Sequence, residues 1–132
     1  MFLLEKTYDV DELFRNNMHT HSVFSKCSKP EMIFEDMVKS AEDAGLKTLA
    51  ITDHSDMDDG IDLVKNTEIL KKRRDMLNSD VKALIGSELS CYGIDKFVEP
   101  YDVDCKVEYR NYSCVHYHLH YWEQPDDRSP AG

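Results

Sequence analysis

The sequence has no apolar run near the ~20 residues that a membrane-spanning helix needs, so no segment is expected to cross a bilayer. Its opening, MFLLEKTYDVDELF, meets an acid already at Glu5. It lacks the basic start, long apolar middle and small-residue cleavage site of a signal peptide, and a cytoplasmic location is the expectation. The four cysteines, Cys27, Cys91, Cys105 and Cys114, form no CxxC pair and have no regular spacing. That argues against a disulfide framework or a zinc ribbon and, for Cys91, Cys105 and Cys114, for free thiols in a reducing compartment. Bases are scarce: 16 Lys and Arg stand against 26 Asp and Glu, a net charge of −10. Such a surface repels duplex nucleic acid over most of its area. A small phosphorylated substrate is compatible if a cation sits in the site. There is no internal repeat and no low-complexity tract.

What is present fits one small domain, residues 1–132, with a polar tail at 123–132, in 132 residues. A closed α/β barrel usually takes about 200 residues or more. The pattern alternates. A short strand-like stretch ends ELFRNNMH. KPEMIFEDMVKSAEDAGL reads as a helix, with Ser28 as cap, Pro30 and Glu31 in the first turn, and Gly45 as terminator. Its apolar face is Ile33, Met37, Ala41 and Ala44. LKTLAIT reads as a buried strand and IDLVKNTEILKKRRDMLN as a second helix, with Val64, Ile69, Leu70 and Leu77 near one face. VKALIGSELS is a third strand. Residues 91–110, interrupted by Pro100, read as a loop or a β hairpin, and YRNYSCVHYHLHYW as a fourth strand. The alternation predicts an α/β fold of parallel βαβ units.

The six histidines fall in three places. His19 and His21 end the first strand, His54 follows the second, and His116, His118 and His120 lie in or after the fourth. The third strand closes with GSE, which puts Glu88 in the equivalent place. A lone histidine at a strand end is ordinarily a polar surface residue, and an isolated HxH is a weak signal. The joint pattern is stronger, because it empties the helices and the tail of histidine. Residues two apart on a strand share a face, so His19 and His21 can reach one ion. C-terminal strand ends form the active face of parallel α/β folds. Imidazole with carboxylate suits zinc, manganese or iron.

NMHTHSVFSKCS, LAITDHSD, IGSELS and SCVHYH together resemble, in order and spacing, motifs of the PHP phosphoesterases, the polymerase and histidinol phosphatase domains. The resemblance runs from about residue 16 to residue 120. It implies a distorted seven-stranded (β/α) TIM-like barrel that holds two or three divalent ions at its C-terminal strand ends. It also implies a metal-dependent phosphoesterase that hydrolyses a small phosphomonoester through metal-activated water. Matched position by position, His19 and His21 are the HxH ligands, His54 the ligand of the second motif, and Glu88 the bridging carboxylate. His116 or His118 is the fourth-motif ligand. His54, Glu88 and Asp53 are the candidate catalytic group, with Asp53 orienting a ligand by hydrogen bond. Lys26, Lys29 and Arg110 are possible helpers for phosphate.

Two departures bear on this. Many members carry a third His or Asp six residues after the HxH pair, where this chain has Cys27. A thiolate could bind zinc, so Cys27 is either a ligand or a buried thiol. The family's last motif, Asp-x-His, has no counterpart here, so the resemblance covers roughly the first half of such a domain and the barrel reads as truncated. The expectation is a homo-oligomer or a piece of a longer protein, because a partial barrel exposes sheet edges. A non-catalytic metal-binding module is the alternative. An amidohydrolase-like barrel also opens with HxH but fits TDH and GSE less well. A nuclease fits poorly with the acidic surface.

Overall fold

The computed structural model describes residues 9–54, 62–93, 96–97 and 107–113. A short helix α1 (Val10–Leu13) leads into β1 (Asn16–Thr20). There follow α2 (Phe34–Asp43), β2 (Thr48–His54), α3 (Leu63–Met76), β3 (Lys82–Gly93), β4 (Lys96–Phe97) and β5 (Arg110–Ser113). β1, β2, β3 and β5 lie side by side in that order, every pairing parallel. The end of β3 turns back in a short antiparallel hairpin with β4, pairing Cys91 with Phe97. Strand–helix–strand alternation with an open parallel sheet is the expected α/β architecture, a segment of a distorted TIM-like barrel. No helix among the described residues is long and apolar enough to cross a membrane.

Alternation along the strands separates two faces. Leu49 and Ile51 of β2, with Ala83 and Ile85 of β3, pack on Phe34, Met37, Val38 and Ala41 of α2 and Leu70 of α3. Phe34, Ile51 and Ile85 are wholly buried, so this helix-covered face is the hydrophobic core. The intervening residues Ala50, Thr52 and His54 pair with Leu84, Gly86 and Glu88 on the opposite, inner face. Asn111 crosses that inner face from β5, donating through Nδ2 to the Met18 carbonyl at 3.1 Å and to Thr52 Oγ1 at 3.4 Å. Gly86 has no side chain for a geometric reason. A Cβ there would collide with the Tyr109 carbonyl, the group that accepts the Ser87 amide at 2.9 Å.

Helix α2 begins later than local signals predict. Ser28 does not cap it: its hydroxyl donates to the His21 carbonyl at 3.2 Å, and residues 25–32 are turns, bends and irregular chain. Ile33 occupies the N-cap with no side-chain hydrogen bond. The buried face shifts with the start, to Phe34, Met37, Val38 and Ala41, leaving Ile33 and Ala44 exposed. The C-terminus behaves as read. Gly45 adopts φ 74°, its amide bonds to the Glu42 carbonyl, and the Leu46 amide bonds to Ala41, a Schellman ending. Helix α3 is capped by Asp62, which accepts the Lys65 amide, and buries Leu63, Thr67 and Leu70. Val64, Ile69 and Leu77 are only partly buried. Arg73 clamps α3 to α2 through a two-point pair with Glu35, its Nε 2.7 Å from Glu35 Oε1. That bond holds the Glu35 carboxyl below the usual range.

Candidate metal centre

The first strand would present its histidines to the core if its pairing were regular. Asn17 pairs with Leu49, yet Thr20 pairs with Ile51. Three steps on β1 therefore face two on β2, an extra residue that slips the register. A one-residue slip moves a side chain to the other face. His19 and His21 thus join the inner face, where the β2–β3 ladder places His54 directly beside Glu88.

Three donor atoms then meet. His19 Nε2 and His21 Nε2 are 3.1 Å apart. Glu88 Oε2 lies 3.1 Å from the first and 3.0 Å from the second. Donors about 2.0–2.1 Å from a tetrahedral ion stand roughly 3.3 Å from one another, so this triangle has the size of one coordination face. Protons alone cannot satisfy it. Each Nε2 has one in-plane site, either a proton or a lone pair, and no placement makes a hydrogen bond along all three edges. A cation at the triangle would use all three lone pairs, so the donor set fits a divalent metal ion.

A second group adjoins the first. His54 Nε2 is 3.3 Å from Cys27 Sγ, and His54 Nδ1 is 3.7 Å from Glu88 Oε2. The His21 and His54 rings stack with centroids 4.6 Å apart. His21, Cys27 and His54 offer donor atoms that all lie within 4.8 Å of one another, so the two groups share His21. Cys27 is an exposed thiol.

The electrostatics follow from burial. Burial and the neighbouring His54 hold His21 below the ordinary imidazole value, against the pull of Glu88 and Asp53. The neutral ring is the form that ligates metal. Burial would raise Glu88, but hydrogen bonds from Ser113 and His19 and the charges of His54 and His19 outweigh it and keep the carboxyl low. Partial desolvation pushes the Cys27 thiol up, and the charges of Glu88 and Asp53 add to it against a backbone hydrogen bond that pulls the other way.

Asp53 lies on the other face of β2. Alternation turns it away from His54, and it pairs with Ser87 on the helix-covered face. It is 2% exposed, and its oxygens accept the Ser22 amide at 2.7 Å, the Ser22 hydroxyl at 2.6 Å and the Ser25 hydroxyl at 2.7 Å. Its carboxylate straps the loop that follows HxH onto β2. Sequence reasoning passed over Ser22, Ser25, Asn111 and Ser113. The hydroxyls in HSVFS, close after the HxH pair, were the available signal for the first two. His116, His118 and His120 lie outside the described residues, as do Cys105, Cys114 and the tail at 123–132.

Comparison with known proteins agrees with this geometry. The chain is 33% identical over 76 residues to the uncharacterized protein MJ1295 of Methanocaldococcus jannaschii. The aligned stretch is 58% of this chain and 34% of that protein, so the chain spans about a third of the length of the curated relative it matches. Residues 17–128, most of the chain, match the family described as PHP domain. With ligand-type residues brought together from three successive parallel strands, the chain belongs to the PHP domain family.

Proposed function

We propose that this chain is a metal-dependent phosphoesterase that hydrolyses a small phosphomonoester through metal-activated water, in the manner of histidinol phosphatases. Family membership and the two ligand groups support a metal-dependent phosphoesterase-like function. The observation that carries the finer reading is that two ligand groups adjoin: His21 has one lone pair to give, so His19, His21 and Glu88 would hold one ion and Cys27 with His54 would begin a neighbouring one. His19, His21, His54, Glu88 and Cys27 are the proposed ligands, joined in the complete site by His116 or His118. Zinc, manganese and iron suit the imidazoles and carboxylate, and a thiolate favours zinc or iron. Two or three divalent ions, when bound, would lower the pKa of water and neutralise phosphate oxygens.

The residues themselves supply orientation. His54 and Glu88 are held in register by backbone hydrogen bonds of the β2–β3 ladder. Asp53 fixes the loop that carries Cys27. The purified chain, supplied with Zn²⁺ or Mn²⁺, should release phosphate from an aryl phosphate and stop when a chelator is added. A rate that survives complete metal removal defeats the proposal.

One observation favours a second reading. The chain aligns with only 34% of its relative, so it could bind ions without completing a catalytic site. His21→Ala would then lower metal content and melting temperature with no phosphatase rate to lose. A robust rate from the intact chain counts against this reading.

A further inference from the structure

Ser25 sits where three demands meet. It is 2% exposed, and a hydroxyl carries one proton and two acceptor sites. Its oxygen is 2.7 Å from Asp53 Oδ1, a distance at which a carboxylate oxygen needs the proton from its neighbour. The proton is therefore spent on Asp53. The Ser22 amide already donates to the same oxygen at 2.7 Å, and the Ser22 hydroxyl donates to Oδ2 at 2.6 Å. The His54 amide donates to Ser25 Oγ at 3.2 Å and fills one acceptor site. One lone pair remains, and the group beside it is His21 Nδ1, 3.4 Å away at the long end of hydrogen-bond range.

A hydroxyl whose only proton is committed can only accept. His21 Nδ1 must then carry a hydrogen. A neutral imidazole has one N–H, so the His21 Nε2 atom is bare. That bare nitrogen is the one 3.0 Å from Glu88 Oε2 and 3.1 Å from His19 Nε2. We propose that Ser25, held by Asp53, is a positioning residue that locks His21 in the Nδ1–H tautomer and so aims the Nε2 lone pair at the metal triangle. The chain Asp53–Ser25–His21 is an outer shell for the metal centre, built from a residue on the helix-covered face of β2. The opposite tautomer would place a hydrogen where an ion must bind. This assignment rests on reading His21 as a metal ligand.

The test is made on the 15N-labelled 132-residue chain, metal-free, at about pH 8, above the usual imidazole range. Nitrogen–proton correlation spectra should show His21 protonated on Nδ1 and bare on Nε2. Ser25→Ala should move it toward the Nε2–H form that an unconstrained histidine favours. In chelator competition, Ser25→Ala should bind Zn²⁺ about 10–100-fold more weakly. An Nε2–H tautomer in the unaltered chain overturns the proposal, and that measurement decides even if Ser25→Ala does not fold. A folded Ser25→Ala with unchanged tautomer and unchanged affinity also overturns it. If the unaltered chain takes up no Zn²⁺, the ligand reading of His21 fails instead, and the tautomer on the same sample still judges the hydrogen-bond assignment.

Discussion

His54 and Glu88 are direct partners in the parallel ladder between β2 and β3. Backbone hydrogen bonds therefore set the spacing of two metal-type side chains. The His54 ring nitrogen and the Glu88 carboxylate stand 3.7 Å apart with no flexible loop between them. Side chains on rigid elements keep such geometry better than side chains on loops. His19 and His21 reach the same place through the slipped register of β1.

Glu88→Gln keeps the shape of the residue and removes its charge. Because Glu88 Oε2 forms two edges of the triangle, metal affinity should fall more than about 100-fold, beyond the 10–100-fold typical of losing an outer hydrogen-bond partner. Elemental analysis after dialysis reads this directly. Retention of metal at the level of the unaltered chain would count against Glu88 as a ligand.

Cys27 is expected to reveal itself by colour. A thiolate bound to Co²⁺ gives an intense near-ultraviolet charge-transfer band. The cobalt-loaded chain should show that band, and Cys27→Ala should lack it while its weaker visible bands persist, since His19, His21 and Glu88 form a group without the thiol. A band unaltered by the substitution would remove Cys27 from the site.

Gly86→Ala should loosen the docking of β5. The new methyl would meet the Tyr109 carbonyl, and backbone cannot yield as a flexible side chain can. The expected loss is about 1–3 kcal/mol, as for other overpacked sites. Urea unfolding midpoints test it, and an unchanged midpoint would show that residues 107–113 move away at little cost.

Glu108 links β3 to α3, and its contribution depends on pH. Its Oε2 accepts Arg74 Nη1 at 2.6 Å and the Ile85 amide at 2.9 Å. Burial would raise its pKa, but these bonds and the charges of Arg74 and Lys71 outweigh burial and hold the carboxyl below the usual range. A depressed carboxyl stabilises the fold above its unfolded pKa of about 4.3 and loses that contribution as pH falls through the folded value. Glu108→Gln should therefore cost about 1 kcal/mol near neutral pH. The gap between the two proteins should narrow as pH falls below about 4.3 and the carboxyl protonates. A gap constant across that range would mean that the charge contributes nothing.

Local grammar went wrong at the start of α2. Ser28 and Pro30 read as cap and first turn, but Ser28 is engaged by the His21 carbonyl, a partner seven residues back. The Ser22–Ser28 loop is shaped by Asp53, which arrives from β2 and takes three hydrogen bonds from Ser22 and Ser25. A hydrogen bond from a distant strand outcompeted a cap that only neighbouring residues could specify. Gly45 carried its own meaning, because a positive φ is a property of one residue and needs no distant partner.

The alternation of strands and helices, the buried runs around Ile51 and Ile85, and the choice of His19, His21, Cys27, His54 and Glu88 as candidate ligands were legible in the chain alone. Those follow from periodicity and side-chain chemistry, which are local. Tertiary pairing settled that one extra residue in β1 turns His19 and His21 to the inner face, that Cys27 comes within reach of His54, and that Asp53 binds the Ser22–Ser25 loop directly. Register, and with it the face a side chain occupies, belongs to a pair of strands. A single strand's sequence does not contain its partner's position.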